Sequence, residues 1–194
     1  MDTTLGEVAT LRAGYPFRAG VVPDPDGTIS VIQGRDVDAS TYRIPCPDKL
    51  PRIVPDGMRS PKDHFVTADD ILLMARGPRN YAALVGLDVP QQTIAVASFH
   101  IIRVEPCRVV PGFLAWFLNQ DGPQAYFRSR NSATTIPMIT LAALRDLPVN
   151  LPPLPEQHHI ANLNDLFERE RQLMDTLSDR RRELLRQWAA TQQS

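Results

Sequence analysis

Proline and glycine stop abruptly in this chain. All 18 prolines and 10 glycines of its 194 residues precede Glu156, and the last 39 residues hold neither. Proline locks φ and removes an amide donor, and glycine weakens regular elements through backbone entropy. A segment punctuated this densely does not form a helical bundle, whereas the tail is free to run as one helix. The division is therefore residues 1–155 as a folded domain and residues 156–194 as a long helix. With 43% hydrophobic residues, the first part has enough apolar material for a core, since a domain of that size buries roughly 70% of its unfolded surface.

Residues 1–110 read as short strands separated by turns, in a mostly antiparallel meander. Leu5 to Leu11 alternates and stops at Gly14-Tyr15-Pro16; Pro23-Asp24-Pro25-Asp26-Gly27 is a turn before the β-branched run Thr28 to Gln33. Six prolines and glycines between Tyr42 and Pro61 predict an irregular surface loop. Asp69-Asp70 leads into a buried strand, Ile71 to Ala75, which ends in the basic turn Arg76-Gly77-Pro78-Arg79-Asn80. Tyr81 to Val85 and Thr93 to Val104 supply more strands.

The period then changes to helical. Pro111 to Asn119 and Gln124 to Arg130 carry apolar residues three and four apart, with Pro111 as a helix starter. Thr140 is an N-cap for a short helix through Leu147, and Val149 to Leu151 is a last extended segment. From Glu156 to Ala190, the residues Ile160, Leu163, Phe167, Met174, Leu177, Leu184 and Trp188 follow a three-four repeat. Leu166, Leu173 and Leu185 widen it, and Glu170 and Arg181 interrupt it. At 1.5 Å per residue this helix extends about 50 Å. That is too long to bury its stripe wholly on the domain, so its distal part packs on another long helix. The alternative is a terminal helix folded back on the core.

For chemistry the sequence is poor. It has no Gly-rich phosphate loop, no nucleophile elbow, no dinucleotide glycines and no Asn-Pro-Pro-Tyr-like adenine methylation motif. His158 and His159 point about 100° apart on a helix and do not converge on one metal. Cys46 and Cys107 lack the paired spacing of a zinc or redox site. No apolar run approaches a membrane span of roughly 20 residues, and Met1 to Thr10 has neither a basic n-region nor an apolar core, so the expectation is a cytoplasmic, non-catalytic protein without a metal.

The net charge of −1 by itself speaks against nucleic acid, yet 19 of the 21 basic residues are arginine. Its planar fork binds guanine or phosphate at two points. A GC-rich genome alone also accounts for such a preference. Two segments carry side chains of the types that bind base edges and phosphates: Arg76, Arg79, Asn80 and Tyr81 on a turn between strands, and Arg128, Arg130, Asn131, Ser132, Thr134 and Thr135 after a helix. Both also have the composition of ordinary solvated loops.

The order of these segments resembles the specificity (S) subunits of type I restriction-modification enzymes, over nearly the whole chain. The resemblance is carried by Leu5-Gly6-Glu7-Val8 with Gly14 after it, by Asp70 to Gly77, by Pro111 to Leu118, and by Ile139-Thr140-Leu141 leading to Leu144. Its most specific part is Leu151-Pro152-Pro153-Leu154-Pro155-Glu156-Gln157-His158-His159-Ile160-Ala161.

The resemblance implies an α+β fold: a mainly antiparallel, β-rich target-recognition domain with short helices over residues 1–155, then one long C-terminal coiled-coil helix. Family members usually hold two such units in one chain, their helices paired antiparallel as a ruler; this sequence has one. The expectation is a homodimer through Ile160, Leu163, Phe167, Met174, Leu177, Leu184 and Trp188. It would read a bipartite, palindromic double-stranded DNA target and direct a methyltransferase subunit, with S-adenosylmethionine on that partner and no cofactor on this chain. A restriction subunit is a further implied partner. The rival reading is an orphan recognition or regulatory protein that competes for methyltransferase partners or acts without an enzyme.

Overall fold

A computed structural model describes residues 2–38, 41–44, 47–77, 80–130 and 138–191. In chain order the strands are β1 (Asp2–Thr4), β2 (Ala9–Ala13), β3 (Ile29–Ile32), β4 (Arg52–Ile53), β5 (Phe65–Val66), β6 (Ile71–Met74), β7 (Ala82–Leu84), β8 (Thr93–Ala95) and β9 (Phe99–Val104). Helices α1 (Pro111–Leu118), α2 (Asp121–Arg130) and α3 (Leu141–Arg145) follow, then β10 (Pro148–Asn150) and α4 (Leu154–Thr191). The class is the expected α+β with a long C-terminal helix.

The central sheet runs β2-β9-β6-β7, all antiparallel. Both of its faces are covered, which is why Ile71-Leu72-Leu73-Met74 is apolar without alternation. Ile71, Leu73, Ile102 and Val104 meet Leu114, Leu118, Phe127 and Leu144 of the three short helices. Leu72, Met74, Phe99 and Ile101 meet Ile32, Val37, Leu50 and Val66 on the other side. A second sheet, β4-β3-β8-β5, supplies part of that other layer.

The meander is mostly antiparallel, as expected, with one parallel pair among the described strands, β3 and β8, Val31 opposite Ile94. One expectation changes. The Tyr42–Pro61 segment is not all surface loop. Arg52–Ile53 pairs with β3 between Pro51 and Pro55, and Leu50 and Ile53 are buried. Proline at 51 still offers its carbonyl, which accepts from Val31 N at 2.9 Å.

A buried ion cluster joins the two sheets. The Asp70 side chain is 1% exposed and receives a two-point grip from Arg103, Nε to Oδ1 and Nη2 to Oδ2, both at 2.7 Å. Thr67 N donates to the same carboxylate at 2.9 Å. Arg12 stands 3.9 Å from it and donates to the carbonyls of Asp63 and Phe65. Asp69, at φ 68, makes the turn that delivers Asp70. The sequence reading of a turn entering a strand is right, and the arginines it engages come from β2 and β9. The hydrogen bonds to Asp70 hold Arg103 above its ordinary pKa, whereas burial lowers that of Arg12.

The long helix begins two residues earlier than the Pro-free tail, at Leu154, because proline costs no hydrogen bond in a first turn. Pro153 O accepts from the amides of Glu156 and Gln157. Gln157, 1% exposed, plugs the junction: Oε1 accepts from Val110 N at 2.9 Å, and Nε2 donates to Arg108 O at 3.1 Å and Pro152 O at 2.8 Å. One turn on, Gly112 lets α1 approach Ala161 so closely that an added Cβ would lie 3.2 Å from the alanine methyl. Asp165 pairs with Arg43 and with Arg169. Strands β1 and β10 pair antiparallel, Thr3 opposite Val149, and tie the N-terminus to the start of the helix.

Replacing Gln157 with leucine keeps the volume but leaves the Val110 amide and two carbonyls without partners. It should cost about 2–4 kcal/mol in urea unfolding, and hydrogen exchange should rise at 154–165 while β6 and β9 stay protected.

Candidate nucleic-acid interface

The turn after β6 and the residues just before α3, far apart in sequence, meet in space. Met138 bridges to Arg76 as an isolated antiparallel pair, and Ile139 N donates to Ala75 O at 2.9 Å. The Arg76 guanidinium rests on the Met138 sulfur, Nε to Sδ 3.2 Å. From the other end, Gln124 of α2 donates to Asn80 O at 2.5 Å and to Leu118 O at 2.8 Å. Gly77 has φ 125, a left-handed geometry that suits glycine and turns the chain after Arg76.

The candidate residues divide into three groups. Arg76, Arg128 and Arg130 are exposed, and Arg130 lies over the Tyr126 ring at 5.2 Å. Tyr126 is itself held by its hydroxyl, which donates to Ala143 O at 2.9 Å. Arg79, Asn131, Ser132, Thr134 and Thr135 lie outside the described residues. Asn80 and Tyr81 are structural, which corrects their selection as surface readers. Asn80 is 5% exposed and its amide donates to Met74 O at 2.9 Å, closing the turn. Tyr81 is half-buried, donates to Gly34 O at 3.2 Å and stacks on Tyr42, and burial raises its pKa.

Two supports escaped sequence reasoning. Asn119, directly after α1, acts as an extra strand edge for β7: Oδ1 accepts from Ala82 N at 2.9 Å and Nδ2 donates to Ala82 O at 2.8 Å. His100 on β9 sits beneath the loop's return, its Nε2–H donating to Ile139 O at 2.7 Å. Asparagine after an apolar helix and histidine within a strand are weak signals, because both partners are distant in sequence.

A cleft of about 580 Å³ lies at the end of β2. Tyr15 meets Phe17 and His64 edge-on, at 5.0 and 5.1 Å, and accepts from Arg59 N at 3.0 Å. Arg18 and Arg59 flank these rings. Sequence reasoning saw only a strand terminator in Gly14-Tyr15-Pro16. Among the described residues no group of three or more His, Cys, Asp or Glu side chains is placed to hold a metal.

The model of the family described as "type I restriction modification DNA specificity domain" matches residues 1–179. The chain belongs to this family. Three solved structures share the fold. The S subunit of a type I restriction-modification system from M. genitalium superposes with a TM-score of 0.61 at 18% identity, over 91% of this chain and 41% of the other. A structure reported for complex assembly and conformational transition of the type I R-M system gives 0.68 at 21%, over 92% and 45%. The HsdS subunit from Thermoanaerobacter tengcongensis gives 0.65 at 23%, over 89% and 43%. This chain spans less than half the length of each. No curated protein matches it. No helix of the described residues is long and apolar enough to cross a membrane.

For this specificity domain, His100 sets a pH limit on the loop's anchor. Burial holds its pKa below the ordinary 6.5, offset in part by the Ile139 carbonyl. The unfolded chain therefore takes up a proton first as pH falls through 6.5. The stability that neutral His100 contributes is full above that value and is lost as pH drops toward the folded-state pKa. Urea midpoints at about pH 7.5 and about pH 5.5 should show this loss in the wild type and a smaller one in His100→Gln, which keeps a donor but does not titrate.

Proposed function

We propose that this chain is a non-catalytic DNA sequence-specificity subunit of a type I restriction-modification system. On this reading it directs a partner adenine methyltransferase, which carries S-adenosylmethionine, to a bipartite target made of two inverted half-sites around an unread spacer. Extraction of the adenine from the stack is the work of that partner; a restriction subunit joins where unmodified DNA is cut. The orphan and regulatory readings become outcomes of the test below.

The observation that carries the proposal is the helix α4 beyond its docked first turns. Leu163, Leu166, Phe167, Leu173, Met174, Leu177, Leu184, Leu185 and Trp188 are 39–65% exposed along one outgoing helix. Nine large apolar side chains on a single outgoing helix are an interface rather than a solvated face. Ile160, nearer the domain, is partly covered. Two copies paired through this stripe would hold two recognition domains at a fixed separation, and protein two-fold symmetry would be mirrored in the DNA. Within each domain, Arg76 lies against Met138, and Arg128 and Arg130 close α2; arginine contacts to phosphate would set register and contacts to base edges would set sequence.

Light scattering of the purified chain should report about twice its 21.7 kDa, and Leu177→Glu should give monomer. Arg130→Ala should weaken binding to the specific site by about 1–3 kcal/mol and to random DNA less; equal losses would make Arg130 a phosphate contact. Methylation of target DNA should require added methyltransferase subunit, and turnover by the chain alone would overthrow the non-catalytic assignment. Failure to co-purify with any methyltransferase would favour a regulatory protein.

A further inference from the structure

The apolar stripe of α4 contains two charges, and their spacing selects one way for two helices to meet. Ile160, Leu163, Phe167, Glu170, Met174, Leu177, Arg181, Leu184 and Trp188 succeed one another at alternating steps of three and four, so all nine lie on one seam. Glu170 and Arg181 are exposed on α4. Eight of the outer charges of the helix are already paired along it: Asp165 with Arg169, Glu168 with Arg171, Asp179 with Arg182 and Glu183 with Arg186. Among the described residues, Glu170 and Arg181 make no ion pair. They are the two charges on the face that is otherwise apolar.

We propose that two copies of this chain pair their α4 helices antiparallel in a single register, centred between Asp175 and Thr176, in which Glu170 of each meets the partner's Arg181. This rests on the self-pairing put forward above and adds the geometry of that contact. In this register every seam residue beyond Ile160 finds a suitable opposite. Met174 faces the partner's Leu177, Glu170 the partner's Arg181, Phe167 the partner's Leu184, and Leu163 the partner's Trp188. Two-fold symmetry repeats each layer, so two ion pairs flank the axis, each about 8 Å from it at 1.5 Å per residue.

The alternatives all misplace charge. A parallel, in-register pair sets Glu170 against the partner's Glu170 and Arg181 against the partner's Arg181. Sliding the antiparallel pair by one heptad in one direction puts Glu170 on the partner's Met174 and Arg181 on the partner's Leu163. Sliding it in the other direction puts them on the partner's Trp188 and the partner's Leu177. An unpaired charge within an apolar seam is strongly unfavourable, and an isolated polar layer is a well-attested way of fixing register at some expense of stability. Because register sets the distance between the two domains, Glu170 and Arg181 would also set the spacer length of the DNA target.

Charge reversal in the full chain tests this by sedimentation equilibrium. Glu170→Arg and Arg181→Glu should each raise the dimer Kd roughly tenfold to a hundredfold, since each creates two like-charge layers. The double reversal should return it to near the wild-type value. A one-to-one mixture of the two single variants should form a heterodimer, which also shows that each variant folds. In a parallel dimer both layers are like-charged in all four homodimers, so the double reversal would bring no recovery over the singles. A spin label on Arg186→Cys, with Cys46→Ser and Cys107→Ser, reads register directly. The proposed pairing separates the two labels by about 30 Å along the axis, whereas a parallel pair holds them side by side. A wild-type monomer would overturn the self-pairing and the register with it. A wild-type dimer with unaltered single variants, or with labels side by side, would overturn the register alone.

Discussion

The buried amide of Gln157 is the joint on which the rest of the molecule turns. Its three hydrogen bonds engage Val110 N, Arg108 O and Pro152 O, so one side chain binds the segment before α1, the segment before α4 and the first turn of the long helix into one unit. No apolar residue of that size could replace it, since each of those backbone groups would then be buried without a partner. The close approach of Gly112 to Ala161 and the Arg43–Asp165 pair hold the next two turns. Direction matters more than strength here. A tilt of roughly 10° at the base would move the far end of a helix about 50 Å long by about 9 Å, far more than a recognition surface tolerates.

A rigid joint needs a rigid domain behind it, and the central sheet supplies one by being covered on both sides. Its layers are cross-linked by the Asp70 cluster, in which the carboxylate faces Arg103 from β9 and Arg12 from β2. Burying a carboxylate is costly by itself; the two-point grip of Arg103 and the Thr67 amide are what make it acceptable in that place. The cluster lies at the start of β6, and the other end of the same strand leads into the Arg76 turn. Strand β6 thus connects the buried Asp70 carboxylate to the turn that carries Arg76.

How much of this was legible beforehand follows from the range of the interactions. The boundary of the Pro-free tail, the apolar run of β6, Pro111 and the Thr140 cap, whose Oγ1 accepts from Ala143 N at 3.1 Å, are local devices, and local devices show in sequence. The parallel pairing of β3 with β8, the meeting of Asp70 with Arg103 and the clamp by Gln157 join residues dozens of positions apart, and no periodicity encodes them. Asn80 and Tyr81 show the converse problem. Their residue types suit base contact, yet the same amide and hydroxyl suit a backbone carbonyl, and burial at a tight turn decided in favour of Met74 O and Gly34 O. Residue type alone cannot rank those two uses.

The near-zero net charge is explained by how the charges are spent. Asp70 takes Arg103 and Arg12, Asp165 takes Arg43 and Arg169, and three further arginines of α4 pair with acids one turn away. These pairs cancel in the sum but occupy the sheet junction and the helix, away from the loops. At the turn after β6 and in the last turn of α2, Arg76, Arg128 and Arg130 make no ion pair among the described residues; one rests on a sulfur and one on an aromatic ring. Neither contact neutralises a cation, so these guanidinium groups keep their charge for an anionic partner. On the proposed reading this is a useful division. Non-specific affinity for DNA grows with the number of phosphates neutralised, so on that reading affinity for random sequence follows how many phosphates the unpaired arginines reach, and discrimination falls to base contacts and the paired second domain.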